Sequence, residues 1–366
     1  MHLTRLALTD FRSYERADLA LEPGVSTFTG ANGQGKTNLI EAVGYVATFA
    51  SHRVAADGPL IRRGADRAIL RAAISSAERD SLVEIEVNPG KANRVRLNRV
   101  PVPRPREASG TLRCVLFAPE DLSVVKGDPD QRRRYLDDLL VATRPRYAAV
   151  RADYDRVLRQ RTALLKNARA AGGLPDGSLE VWDEHLVSAG TELTAGRLGL
   201  VAAIRPLVAS AYSAVSGEDQ RAGLRYRQPF GERSEPAGDP SQLAGAMRAA
   251  LQASRRADQA DGPHRDELEL AIGELPARGY ASQGESWSLA LALRLAAYGL
   301  LRADGDDPVL LLDDVFAELD ARRRERLAEL VGSAEQVLVT AAVTDDVPAR
   351  LAGARFSVST GVIERA

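Results

Sequence analysis

The 366-residue chain has a single cysteine, Cys114, and only four lysines against 45 arginines. One cysteine excludes an internal disulfide and fits a reducing compartment such as the cytoplasm. It lies in "LRCVLF", where a buried strand residue is expected rather than a reactive thiol. Long apolar runs are also missing. "LALALRLAAYGLL" is interrupted by Arg294, so no membrane-spanning segment is expected. The opening "MHLTRLALTDF" places Thr4, Arg5, Thr9 and Asp10 where a signal peptide would be apolar. No His/Cys cluster has metal-ligand spacing; His2 and His185 read as structural or exposed. Nor is there an internal repeat. A net charge of −1 gives no global attraction to nucleic acid, so such a partner needs a local patch. What is present is the composition of a folded protein, 45% hydrophobic and 27% charged, long enough for two or three domains or one domain with a large insertion.

One of the scarce lysines stands in "GANGQGKT". Gly30, Gly35, Lys36 and Thr37 occupy the fixed positions of G-x-x-x-x-G-K-[ST]. Glycines open turn geometries closed to other residues. The amides of Ala31, Asn32, Gly33 and Gln34, continuing to Asn38, can then turn inward onto phosphate oxygens. A helix starting near Lys36 adds its dipole and unpaired amides. Lys36 reaches the β- and γ-phosphates as a compact charge, and Thr37 offers a hydroxyl to Mg²⁺. The flanks fit: "GVSTFTG" alternates as a strand, and Leu39, Ile40, Val43, Val46 and Ala47 repeat at helical spacing.

A nucleotide-hydrolysing site also needs a carboxylate for Mg²⁺ on a neighbouring strand. In "PVLLLDDVFAELD", Val309 to Leu312 read as a fully buried strand, with Asp313 and Asp314 at its C-terminal end, where open α/β sheets bind ligands. An acidic strand-end turn is the plain alternative. Upstream, Ser282, Gln283, Gly284 and Glu285 open a strongly apolar helix. That is a second helix N-terminus able to meet an anion, or an ordinary capping box, since Ser-x-x-Glu is both.

Cradle near the N-terminus, about 240 residues between, then S-x-G-E and an hhhhDD strand followed by "AELD": this order resembles the ABC-type ATPase head, and most closely the RecF family related to SMC heads. "LFAPEDLSVVKGDPDQRRRYLDDLL", "GPHRDELEL" and "SQGESWSLALALRLA" carry the resemblance further. It implies an α/β fold: a P-loop head with a mixed sheet, flanking helices and N-terminal antiparallel strands, plus an inserted helical lobe. It also implies ATP and Mg²⁺ as cofactors, with Ser282, Gly284 and Glu285 capping the ATP of a second copy. Lys36 and Asp313 would serve hydrolysis, with Thr37 and Asp313 on the metal and Asp314 as the base. ATP-driven dimers would act on single-stranded, gapped or junction DNA, with RecR and RecO as partners and hydrolysis weak and DNA-dependent. One departure bears on the base. Transport relatives carry a glutamate where Asp314 stands, and a histidine after the next strand, where "QVLVTAAVTDD" has none. An ATPase subunit of a transport system, and a non-hydrolysing scaffold, remain alternatives.

The expected organisation is a discontinuous head, residues 1–118 and 262–366, with a helical insertion at 119–261. "SLVEIEVNPGKANRVRLNRVPV" reads as an antiparallel pair turning at Pro89-Gly90. "AGGLPDGS" and "GERSEPAGDPSQ" read as loops. For DNA, Arg132, Arg133 and Arg134, then Arg159, Arg161 and Lys166, with Arg151 and Arg156 on the same helical stretch, are candidate phosphate contacts, against a solvated helix face that also holds Asp137, Asp138, Asp153 and Asp155. Arg53, just past the cradle helix, corresponds to an arginine that in SMC-like heads senses nucleotide or DNA. His264 and Arg265 suggest no mechanism.

Overall fold

A computed structural model describes residues 1–77, 79–171, 179–217, 221–229, 240–253 and 260–366. The chain forms two compact units.

The first comprises Met1–Asp121, Ala214–Gly217 and Ala290–Ala366 and contains two six-stranded sheets. One is antiparallel throughout, in the order Tyr14–Ala20, His2–Phe11, Ala68–Ser75, Asp80–Val87, Arg94–Leu97, Val100–Val102. The expected hairpin is its fourth pair, Val83 facing Leu97 and Ile85 facing Val95. The second sheet runs Val362–Arg365, Ala354–Ser359, Gly24–Thr29, Gln336–Ala341, Val309–Asp313, Cys114–Phe117. Its last five strands are parallel, and the first is an antiparallel edge. Val309–Asp313 and Gln336–Ala341 are buried along their whole length, as parallel strands covered on both faces must be. Cys114 is half-buried on the outermost parallel strand; burial pushes its thiol up to about 12.

The helix Lys36–Thr48 buries Leu39, Ile40, Val43 and Val46, the positions its periodicity marked. They share one hydrophobic core with Leu6, Leu8, Leu70 and Ile85 of the antiparallel sheet and Val309, Leu311 and Phe356 of the other. A buried polar joint crosses this core. The amide of Gln336 accepts from Leu3 N–H (2.8 Å) and donates to the carbonyls of Leu3 (2.9 Å) and Glu22 (3.1 Å). It ties the first strand of the chain to a central strand of the parallel sheet.

The second unit comprises Leu122–Ser213 and Glu218–Leu289. The expected division put residues 262–289 with the head. In the structure Glu267–Ile272 pairs antiparallel with Ala222–Arg227, and that pairing keeps both segments with the helical unit. Neither Ala222–Arg227 nor the helix Pro240–Ala253 was anticipated. Of the expected loops, 172–178 and 231–239 fall outside the described residues, while Ala171 and residues 240–242 are helical. The long helices are Pro129–Thr143, Tyr147–Ala171 and Glu180–Ser216. By length and composition Glu180–Ser216 could cross a membrane, contrary to the expectation that no segment would. Its Leu186, Leu193, Val201, Ile204 and Val208 are buried in the protein, and core helices pass the same test.

At the centre of this unit lies Arg197, 3% exposed. It pairs with both carboxylate oxygens of Asp137 (2.7 and 2.9 Å) and donates to the carbonyl of Pro263 (2.7 Å). Tyr226 donates its hydroxyl to Asp266. His264 shares a hydrogen bond with the Tyr154 hydroxyl (2.6 Å), and burial lowers its pKa to about 4. The motif "GPHRD" thus serves packing: its turn closes this network.

Replacing Gln336 by Leu keeps the volume but strands the N–H and C=O of Leu3 in the core. Urea unfolding should show a loss of about 2–4 kcal/mol. A loss below about 1 kcal/mol would mean the joint contributes little.

Candidate nucleotide site

The glycine loop and the acidic strand end meet. Strands Gly24–Thr29 and Val309–Asp313 flank Gln336–Ala341 in parallel register, so all three release their chains at one edge of the sheet. Thr37 Oγ1 donates to Asp313 Oδ1 at 3.1 Å.

The loop is shaped by close approach. A β-carbon on residue 30 would lie 2.2 Å from the carbonyl oxygen of Val358, and one on residue 35 would lie 2.8 Å from Ser13 Oγ. Gly35 has φ 114°, a left-handed value that only glycine adopts readily, and its carbonyl accepts from the buried Tyr14 hydroxyl (2.9 Å). Ala31, Asn32 and Gly33 face solvent, while Gln34 is half-buried. Lys36 folds back over the loop: its amine donates to the carbonyls of Gly30 (2.8 Å) and Ala31 (3.2 Å). Asn38 donates to Ser13 Oγ (3.0 Å) and accepts from Arg53 (3.0 Å). Arg53 also pairs with Glu41 (3.3 Å). Glu41 is fully buried and accepts from both Arg12 nitrogens (2.8 and 2.6 Å) and from Ser51 (2.5 Å). Burial alone would raise its pKa; the bonds from Arg12 and Ser51 reverse that and hold it below the usual carboxylate value. Arg53 is thereby fixed beside the cradle helix.

Asp313 is 3% exposed. Its Oδ1 accepts from Thr37 and also from Thr340 Oγ1 (2.6 Å). Burial pushes its pKa up to about 6, and the adjacent Asp314 charge adds to this against the bonds from Thr340 and Thr37. Asp314 has φ 51°, which turns the chain out of the strand; its N–H donates to Thr340 Oγ1 (2.9 Å). Thr340 went unnoticed in the sequence. The parallel register sets it opposite Asp313, and only knowledge of that pairing could have found it. Thr37 and Asp313 together present two hard oxygen donors, one of them an ionisable carboxylate. That suits Mg²⁺, which takes few protein ligands beside phosphate oxygens and water.

Ser282 belongs to the second unit and is exposed at the start of the helix Gln283–Ala303. Ser282 N–H donates to the Glu285 carboxylate (2.8 Å) and Glu285 N–H to Ser282 Oγ (3.3 Å). This is the reciprocal capping box, with Gly284 inside its first turn.

Two of the arginines expected to meet DNA do not reach the surface. Arg132 is 4% exposed; it grips Glu267 (2.6 and 3.2 Å) and the carbonyls of Val124 and Gly127. Arg161 is fully buried against Asp183 (2.5 Å). Both guanidiniums pair inside the helical unit, so neither is placed to meet DNA as expected. Arg133 is half-buried and donates to the carbonyl of Asp266 (2.9 Å). Arg134, Arg159 and Lys166 are exposed. Arg151 and Arg156 pair with Asp138 (3.2 Å) and Asp153 (3.1 Å).

Known proteins of similar sequence and structure agree with this architecture. The RecF/RecN/SMC N-terminal domain matches residues 2–351. The chain is 60% identical to the DNA replication and repair protein RecF of Frankia alni and 57% identical to that of Streptomyces avermitilis, each over 100% of both chains. A structure of the recombination mediator protein RecF with ATP, of the RecFOR pathway, superposes with a TM-score of 0.92 at 25% identity, covering 100% of this chain and 97% of that one. An SMC head bound to the C-terminal winged-helix domain of ScpA superposes with a TM-score of 0.58 at 18% identity, covering 100% and 97%, and shares the fold. The chain belongs to the RecF family of RecF/RecN/SMC N-terminal domain proteins.

Proposed function

We propose that the chain is an ATP-dependent DNA-binding protein of recombinational repair and replication-fork maintenance. The observation that carries this reading is the convergence of Lys36, Thr37 and Asp313 at one strand edge, in a chain related to RecF proteins along its whole length. In the proposed cycle ATP joins two copies on gapped, single-stranded or junction DNA in the cytoplasm. Slow, DNA-dependent hydrolysis then releases them, with RecR and RecO as the partners licensed at the gap. A transport ATPase subunit finds no support among these relatives.

The residues divide the work. The loop amides and Lys36 bind and orient the phosphates. Thr37 and Asp313 would hold Mg²⁺, which neutralises phosphate charge when bound. Thr340 fixes the Asp313 carboxylate, and through the Asp314 N–H it also fixes the turn that presents Asp314. Asp314 is the base that orients and deprotonates water. Ser282, Gly284 and Glu285 cap the nucleotide held by the other copy. For DNA, the exposed Arg134, Arg159 and Lys166 remain candidates, with Arg53 beside the cradle.

Lys36→Ala should abolish ATP binding in an equilibrium titration while the melting transition persists; unchanged affinity would sink the assignment. Asp313→Asn should weaken Mg²⁺-dependent ATP binding yet stabilise the nucleotide-free protein. A carboxyl whose folded pKa is raised to about 6 from 3.8 costs stability when ionised. The penalty is full above pH 6 and vanishes below the unfolded value. At pH 7 the variant should therefore gain on the order of 2–3 kcal/mol, shrinking toward zero near pH 4, as read from denaturation at several pH values. Asp314→Asn should keep ATP binding but slow single-turnover phosphate release about 10²–10⁴-fold. Release at the wild-type rate would place the base elsewhere, with Glu120 and Glu318 the next carboxylates to test.

A further inference from the structure

The cradle is braced from outside by a turn that phosphate binding does not itself require. Strands Ala354–Ser359 and Val362–Arg365 form an antiparallel hairpin, joined by Thr360 and Gly361. Both have positive φ, 48° and 77°. Two-residue hairpin turns with this geometry favour Asn-Gly. A β-branched side chain at positive φ is an outlier, and Thr360 is the one such residue among those described. Threonine is a poor local choice at this position.

What Thr360 contributes is aimed at Gln34. Its N–H donates to Gln34 Oε1 at 2.6 Å and its hydroxyl to the same oxygen at 3.2 Å. The next N–H, of Gly361, donates to the Gln34 carbonyl at 3.2 Å. Three hydrogen bonds therefore fix the middle of a loop that otherwise faces solvent. The same hairpin presses the Val358 carbonyl against Gly30. Beside the turn, Tyr14 and Ser13 secure Gly35 and Asn38, and a β-carbon on residue 361 would lie 2.7 Å from the Ser13 carbonyl oxygen.

We propose that the Thr360–Gly361 turn is a positioning element for the nucleotide cradle, holding Gln34 so that the amides of Gly33, Gly35 and Lys36 face the anion site before nucleotide arrives. The inference rests on nucleotide binding at this loop. A glycine-rich segment left free would lose much backbone entropy on closing around phosphate; bracing it beforehand removes that cost from binding. A turn that merely closes the hairpin predicts that easing its strain is neutral or favourable for every property. A positioning turn predicts opposite signs: stability kept or raised, affinity lowered.

Thr360→Gly separates the two, because it relieves the φ strain and keeps the N–H but deletes the hydroxyl and frees the turn. Four proteins are compared by titration with a fluorescent ATP analogue and by urea unfolding: wild type, Thr360→Gly, Gln34→Ala and the double variant. Thr360→Gly should unfold at the wild-type midpoint or above and bind the analogue about three- to ten-fold more weakly, the weight of one or two hydrogen bonds. The double variant should bind no more weakly than Gln34→Ala, because both changes act through one contact. Hydrogen exchange of residues 31–36, measured without nucleotide, should be faster in Thr360→Gly. Wild-type affinity together with wild-type exchange in Thr360→Gly would overturn the proposal, as would fully additive losses. Failure of the wild type itself to bind the analogue would overturn the nucleotide reading instead, and the exchange comparison would still decide whether the turn braces the loop.

Discussion

The site depends on one buried carboxylate. Asp313 lies at the end of a fully buried strand, where an ionised group is costly, and only two threonine hydroxyls satisfy its Oδ1. Those hydroxyls come from the cradle helix and from the adjacent parallel strand. The carboxylate therefore links three elements distant in sequence. Parallel pairing of Gly24–Thr29, Gln336–Ala341 and Val309–Asp313 fixes their heights to within one residue. The shared core fixes the helix against them. A slip of one residue in Val309–Asp313 or Gln336–Ala341 would turn Asp313 or Thr340 to the opposite face.

Part of the charge in the helical unit is turned inward. Arg132, Arg161 and Arg197 are all buried, each against a carboxylate. Removing one partner from such a pair leaves an uncompensated ion, which is far costlier than the net worth of the pair. These arginines hold helices together and hold the turn Gly262–Asp266 against the long helix. A run of arginines in sequence is thus no measure of the basic surface it makes.

The cradle, its helix and the acidic strand were legible because each is a local pattern: glycine spacing, a 3.6-residue period, four apolar residues followed by two aspartates. Their union into one site was legible from the metal a nucleotide site needs and from resemblance, since no periodicity joins Thr37 to Asp313. Thr340 was invisible because its role comes from register between strands. The burial of Arg132 and Arg161 was invisible because partners such as Glu267 lie far along the chain. The strand Ala222–Arg227 was passed over inside a region read as helical. Its alternation of Ala222, Leu224 and Tyr226 with Gly223, Arg225 and Arg227 was there to be seen.

Lys36 already has two carbonyl partners inside its own loop. Two of its three ammonium protons go to neutral carbonyls, so a phosphate entering the proposed cradle competes with Gly30 and Ala31 for those two while supplying the counter-ion they do not. Those two bonds hold the amine over the loop. Its contribution to affinity would be the gain of charge pairing less the two carbonyl bonds given up. If a nucleotide leaves such a loop, the two carbonyls can take those protons back, so the lysine keeps hydrogen-bond partners in its own backbone although its charge loses its counter-ion.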